Sequence, residues 1–186
     1  MRAKLPRRRG PWRALLLVVA FAVLAVVAAL LEPLPPTLSG EASVADGDTL
    51  RLGGERIRLT GLDAPELDQT CTDTAGATWS CGRESSQRLR ELINGEAVHC
   101  NTEGRDRYGR YLGRCSVGGE DLGAVLVAEG FAVAALPFYA TEDALARREK
   151  RGIWAGPFDT PRHWRDTHGD ATAGFDLLGW IRSWFG

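Results

Sequence analysis

The sequence predicts an α+β domain built on a small barrel or strongly curled sheet. Two observations carry that reading. Short strand candidates come first in the folded region and helix candidates come after them, the order of α+β architecture rather than of alternating βαβ units. Two of the strands are separated by Gly53-Gly54, a tight hairpin turn. With 186 residues and a hydrophobic content of 44%, the chain has material for one ordinary domain plus extensions.

The extensions come first. Arg2, Lys4, Arg7, Arg8, Arg9 and Arg13 make residues 1–13 a basic tail, and the 18 residues from Ala14 to Leu31 are uncharged and almost wholly apolar. As a helix that run spans about 27 Å, close to a bilayer's hydrocarbon core. Basic residues before it and none just after it place the N-terminus in the cytoplasm and export the chain beyond Leu31. Residues 14–31 are thus expected to be a transmembrane helix, with a cleavable signal peptide as the rival. Val26-Val27-Ala28 offers a weak cleavage site, but the apolar run continues past it, and length favours an uncleaved anchor. Residues 32–40, with Pro33, Pro35 and Pro36, read as a semi-rigid linker.

The folded domain is expected over residues 41–168. Strand candidates are 41–45, 49–52, 56–60, 97–101 and 111–117. Helix candidates are 84–93, closed by Asn94-Gly95; 122–129, closed by Gly130; and 141–150. Thr141 with Glu142 and Asp143 reads as the N-terminus of the last, and Arg147, Arg148, Lys150 and Arg151 suit its C-terminal end. Residues 169–186 form a separate tail with Leu177, Leu178, Ile181, Trp184 and Phe185 on one helical face. It reads equally as an interfacial membrane helix or as a helix docked on the domain.

Charge narrows the function classes. All 24 acidic residues lie after position 31, against 17 basic ones there, so the exported part carries a net charge of −7. That weighs against a protein that grips nucleic acid through a broad basic surface, and any such contact would have to be local. The four cysteines, all exported, suggest two disulfides in an oxidising compartment. Three connectivities are possible. Cys71 and Cys81 flank one Thr- and Gly-containing loop, and Cys100 and Cys115 end two strand candidates that a turn would bring together, so Cys71–Cys81 and Cys100–Cys115 are expected. No C-x-x-C pair supports a zinc site.

The chemistry concentrates in three turns. Arg56 to Thr60 alternates as a strand, and Gly61 and Pro65 then turn the chain so that Asp63 and Glu66 stand near Arg58. Asp46-Gly47-Asp48-Thr49 adds carboxylates on a second turn, and Asp106-Arg107-Tyr108-Gly109-Arg110 is a cationic third. Carboxylates for a hard metal beside arginines for an anion suit phosphoryl chemistry.

These segments, Val44 to Leu50, Arg58 to Glu66 and Asp106 to Arg110, with Gly152-Ile153-Trp154 further on, resemble the staphylococcal nuclease (thermonuclease) family. The resemblance runs from about Glu41 to Trp164. It implies an OB-like five-stranded β-barrel with three helices, and calcium-dependent hydrolysis of DNA or RNA, endo- and exonucleolytic, leaving 3′-phosphates. Carried over, Asp48, Asp63 and the backbone carbonyl of Ala64 match the calcium ligands. Glu66 matches the proposed general base, and Arg58 and Arg110 match the arginines that grip the phosphate. Tyr108 matches an aromatic beside the nucleotide, with Arg107 next to it at the substrate.

Some positions depart from the family. Ala64 stands where the family has Thr. Leu136-Pro137-Phe138-Tyr139 replaces the stretch that supplies tyrosines to the base pocket, so Leu136 stands for one tyrosine and Phe138 or Tyr139 for the other. The loop carrying Cys71, Trp79 and Cys81 is expected to differ in shape. Asp46 reads as a turn former or outer carboxylate, Arg56, Arg105 and Arg107 as solvated charges, and His99, His163 and His168 show no ligand spacing. The competing classes are a non-catalytic OB-fold module binding nucleic acid or protein in the cell envelope, and a structural calcium domain. The expected assembly is a monomer, anchored with its nuclease domain exported, periplasmic in a bacterium, or secreted if the segment is cleaved.

Overall fold

A computed structural model of the chain describes residues 11–30, 35–135 and 137–168. Residues 1–10 of the basic tail, residues 31–34 across the start of the linker, Leu136 and the amphipathic tail over 169–186 lie outside the described residues. The chain divides into two compact units, Met1–Pro35 and Pro36–Gly186.

In the first unit, α1 (Pro11–Leu30) is a single helix of 20 residues. Leu15, Leu16, Leu17, Phe21 and Leu24 are all exposed on it. Among the described residues, no helix is long and apolar enough to cross a membrane.

The second unit begins earlier than the composition suggests. Thr37–Gly40 is a strand, β1, and Leu38 packs against the core. Proline depresses strand content up to Pro36, but it does not reach the next four residues, which find partners in a distant strand. Next come β2 (Ala42–Val44), β3 (Thr49–Leu52) and β4 (Glu55–Leu59). After them come three two-residue strands, β5 (Leu62–Asp63), β6 (Cys71–Thr72) and β7 (Thr78–Trp79), and the helix α2 (Cys81–Ile93). The second half of the sheet is β8 (Val98–Arg105), β9 (Tyr111–Val117) and the short β10 (Glu120–Asp121). After α3 (Leu122–Ala128) and β11 (Val133–Ala134), a 3₁₀ turn at Pro137–Tyr139 leads into α4 (Ala140–Glu149). A second 3₁₀ turn, Gly152–Ala155, precedes α5 (Pro161–His168).

The result is α+β around one curled, half-barrel sheet with the strand order β1-β8-β9-β4-β3-β2. All five expected strands lie in it, and β1 and β10 are additional. The β3–β4 hairpin places Thr49 opposite Arg58, and β4 runs parallel to β9 with Arg58 beside Leu112. Alternation along β4 explains why Ile57 and Leu59 enter the core while Arg58 turns away from it. Leu89 and Ile93 of α2 and Leu122, Leu126 and Val127 of α3 pack with Leu50, Ile57, Leu59 and Val98.

Both disulfides form as expected. Cys100 and Cys115 are direct cross-strand partners in β8 and β9, buried in the main core. Cys71–Cys81 joins the β6–β7 hairpin to the start of α2, in a second cluster with Ile153, Trp154 and Phe158. Closing loops of such length stabilises by about 3 kcal/mol each in the chain-entropy account.

Two helix starts differ from expectation. α2 begins at Cys81 rather than position 84, because the disulfide fixes its first residue. α4 begins at Ala140, where the 3₁₀ turn feeds straight into it, so Thr141 lies inside the first turn rather than capping it. Asp143 in that turn is buried and accepts from Ala134 N–H at 3.1 Å and from Arg147. α5 was not expected at all; seven of its eight residues are polar or proline.

Candidate active site

Three turns and one helix build a single cleft of about 490 Å³. Its walls include Asp48, Arg58, Ala64, Glu66, Arg107, Tyr108, Arg110 and Arg165. The sheet supplies the first contributions. Asp48 ends the turn before β3, where its backbone N–H donates to the Asp46 carboxylate at 3.0 Å, so Asp46 shapes the turn. Arg58 stands opposite Thr49 on β4 and points the same way.

The Asp63–Glu66 turn is held from both sides. Gly61 takes a φ of +85°, as the turn out of β4 requires. Asp63 belongs to β5, which pairs with Val133 of β11. Behind Glu66, a Cβ on Gly82 would come within 1.6 Å of the Glu66 carbonyl oxygen, so only glycine lets α2 approach so closely. Gln69, fully buried, accepts from the Glu66 backbone N–H at 3.2 Å and donates to the Asp159 carbonyl at 2.7 Å. One amide thus ties the Glu66 turn to the segment that starts α5.

Arg58 is the hub. Its Nη1 donates to Asp48 Oδ1 at 2.8 Å, and its Nη2 lies 2.7 Å from Asp48 Oδ2 and 2.8 Å from Asp63 Oδ1. Two carboxylates therefore converge on one cationic point. Asp48 is only 4% exposed, and Thr49 Oγ1 donates to it at 2.9 Å. Burial pushes its carboxyl up to about 7, with Arg58 pulling the other way and Asp46 adding repulsion.

Arg110 occupies the third turn. Its Nε donates to Asp106 at 2.8 Å, and its Nη1 lies 3.5 Å from Thr49 Oγ1. Burial acts to raise Asp106, but hydrogen bonds from the Arg110 side chain and from the backbone N–H groups of Arg110 and Tyr108 prevail and hold it below its ordinary value. Tyr108 is exposed, and the guanidinium carbons of Arg107 and Arg110 lie 4.8 Å and 5.6 Å from its ring centre. Arg107 also donates to the Tyr108 hydroxyl at 2.7 Å. Cation and aromatic face the cleft together.

Phe138 and Tyr139 do not line it. Tyr139 is buried, its ring packs over Gly61, and its hydroxyl donates to Asp121, the N-cap of α3, at 3.0 Å. Burial and then the Asp121 charge push that hydroxyl up. Tyr139 thus braces the turn behind the site. Phe138 is exposed beside Arg114, whose guanidinium carbon lies 5.4 Å from its ring centre.

Sequence reasoning missed Arg165. From α5, its Nη1 donates to Glu66 Oε1 at 2.7 Å and Asp63 Oδ1 at 3.1 Å, and its Nη2 donates to Asp63 Oδ2 at 2.8 Å. The hydrogen bond to Asp63, above all, pushes Arg165 above its ordinary guanidinium value. Its one sequence signal is the Thr160-Pro161 helix start, which says that a helix begins but not what it faces.

The donor set suits a hard cation. Asp48 and Asp63 offer only oxygen and flank the same guanidinium, and the Ala64 carbonyl belongs to the same turn as Asp63. Among the described residues, no three His, Cys, Asp or Glu side chains gather as a metal cluster. A cation here would depend on backbone carbonyl, water and substrate oxygens beyond the two carboxylates.

Comparison with known proteins agrees with this arrangement. The family model for staphylococcal nuclease homologues matches residues 56–156. The succinoglycan biosynthesis protein ExoI of Rhizobium meliloti (strain 1021) is 40% identical over 121 residues, 62% of this chain and 63% of its own length. The match therefore spans less than two thirds of that relative. An uncharacterized endonuclease of Escherichia coli is 33% identical over 129 residues, 63% of this chain and 77% of its own. A probable staphylococcal-like nuclease of Oryza sativa subsp. japonica is 30% identical over 126 residues, 62% of this chain and 31% of its own.

Proposed function

Since the chain belongs to the staphylococcal nuclease homologue family, we propose that it is a calcium-dependent nuclease hydrolysing phosphodiester bonds of DNA or RNA. The observation that carries the reading is convergence. Asp48, Arg58, Glu66 and Arg110 come from separate strands and turns and line one polar cleft, with Asp63 bound to Arg58 at its edge. A purely structural network would not need these groups to gather around one open cleft.

Asp48, Asp63 and the Ala64 carbonyl are the residues that would hold calcium, whose charge would offset that of a bound phosphate oxygen. Glu66 would accept a proton from a water placed in line with phosphorus. Arg58 and Arg110 would bind the non-bridging oxygens and strengthen those bonds as charge builds in the transition state. Tyr108 would stack against a sugar or base, with Arg107 beside it. A net charge of −7 beyond position 31 makes these local contacts the main source of affinity.

The same reading places the domain outside the cytoplasm. Two disulfides fit an oxidising compartment. Residues 14–31 would anchor the chain, with the N-terminus in the cytoplasm and the nuclease domain exported. The uncharged apolar run and the basic residues before it in the sequence support that placement.

The test uses the full-length chain, oxidised and held in detergent micelles, incubated with single-stranded DNA and with RNA, with calcium or with a chelator. Cleavage should require calcium, and Glu66→Gln should slow turnover by about 10²–10⁴-fold. Arg110→Ala should also abolish most activity. Substrate that stays intact under every condition sinks the enzyme and leaves a binding module.

A further inference from the structure

We propose that Arg165 is a displaceable counter-cation that sets the calcium affinity of this site. Its guanidinium must leave Asp63, and in doing so releases Glu66, before a divalent cation can use the Asp63 carboxylate. The inference rests on the calcium reading above and goes beyond it.

Every oxygen of the Asp48–Asp63 pair already has a donor. Asp48 Oδ1 accepts from Arg58 Nη1 and Thr49 Oγ1, and its Oδ2 lies 2.7 Å from Arg58 Nη2. Asp63 Oδ1 accepts from Arg58 Nη2 and Arg165 Nη1, and its Oδ2 accepts from Arg165 Nη2. Each Oδ2 keeps a second lone pair, but a divalent cation drawn to it would sit against two guanidinium groups and meet strong repulsion. One of the two arginines must yield.

The two are not equally free to do so. The Arg58 side chain is 23% exposed, stands on a strand flanked on both sides, and spans both carboxylates. Arg165 is 40% exposed, sits on a helix of eight residues, and touches Asp63 and Glu66 only through its guanidinium tip. Its long flexible stem can withdraw while α5 stays docked, because the helix is fastened at its start by Gln69 on Asp159 and by buried Pro161. The Nη1 group that holds Asp63 Oδ1 also holds Glu66 Oε1. Withdrawal therefore opens the metal ligand and frees the proposed base in one movement. Until calcium arrives, both carboxylates are neutralised from within the chain.

Calcium binding tests this without any substrate. Isothermal calorimetry on the full-length oxidised protein in detergent, at fixed ionic strength, would compare wild type with Arg165→Ala, Arg165→Lys and Arg107→Ala. If the contact holds the site closed in about nine molecules of ten, Arg165→Ala should bind calcium about ten-fold more tightly. Arg165→Lys, which keeps the charge but not the fork, should fall between that variant and wild type. Arg107→Ala removes an equal charge from the same cleft and should change affinity by less than about two-fold if the effect is the contact rather than bulk charge.

Equal or weaker binding by Arg165→Ala overturns the proposal while leaving the calcium site intact. An equal gain from Arg107→Ala overturns it as well. No calcium binding by any variant removes the calcium reading and the latch together. Should Arg165→Ala fail to fold by circular dichroism, Arg165→Gln gives the same comparison with the stem retained.

Discussion

Arg58 and Arg165 hold the same carboxylate, yet one belongs to the frame of the molecule and the other to its edge. Arg58 is set by the register of three neighbouring strands, and it compensates Asp48, a carboxylate that is almost wholly buried. Arg165 compensates two carboxylates that are partly open to solvent, from a short helix fastened at its start by a buried glutamine and a buried proline. Ion pairs of similar geometry therefore have unlike consequences. The first is a condition for folding the site, and the second is a contact the folded site can give up.

Removing each arginine separates those roles, and Arg58→Ala should have the larger effect. It leaves Asp48 buried beside Asp46 with only Thr49 to hold it, and should lower unfolding free energy by about 3 kcal/mol. Urea unfolding in a calcium-free buffer reads this directly. The double variant Arg58→Ala, Asp48→Asn should recover most of the loss, because the cost lies in the stranded charge rather than in the missing contact. An Arg58→Ala protein as stable as wild type would make the two arginines equivalent and remove the distinction.

Gln69→Ala probes the link between the two regions. It strands the Glu66 backbone N–H and the Asp159 carbonyl and leaves a small void, at about 2 kcal/mol. The sharper readout is local. Trypsin should cut after Arg162 and Arg165 well before the sheet unfolds, since α5 would open below the global stability. Cleavage only on global unfolding would mean that α5 is held by something other than Gln69.

The same contrast explains which features are legible in the sequence. Arg58 could be placed because strand alternation and the Gly61–Pro65 turn are local, and so could the hairpin that brings Cys100 to Cys115. β1 escapes a sequence reading because its pairing partner lies some sixty residues away, while the prolines before it argue for a spacer. Tyr139 reads as a substrate contact, but its ring fills the space over Gly61 and its hydroxyl answers Asp121, and neither contact is encoded near it. Arg165 is the extreme case. Its partners lie about a hundred positions upstream, and its own helix, α5, is polar apart from Pro161 and Trp164, so no run of apolar residues marks it. Residues whose role is set by local geometry could be read, and those set by tertiary approach could not.

The smallest effect expected is the loss of stability in Arg165→Ala, below about 1 kcal/mol in calcium-free buffer. Three short hydrogen bonds would suggest more. But Arg165 and Glu66 are both well exposed, so water replaces much of what each loses, and ordering the long arginine stem already cancels part of the gain. Asp63 keeps Arg58 as a partner after the change, so no buried charge is stranded. A small penalty is also what a displaceable contact requires, since a pair worth several kcal/mol could not give way to calcium at ordinary concentrations. A loss as large as that of Arg58→Ala would therefore count against both the edge-and-frame distinction and the latch.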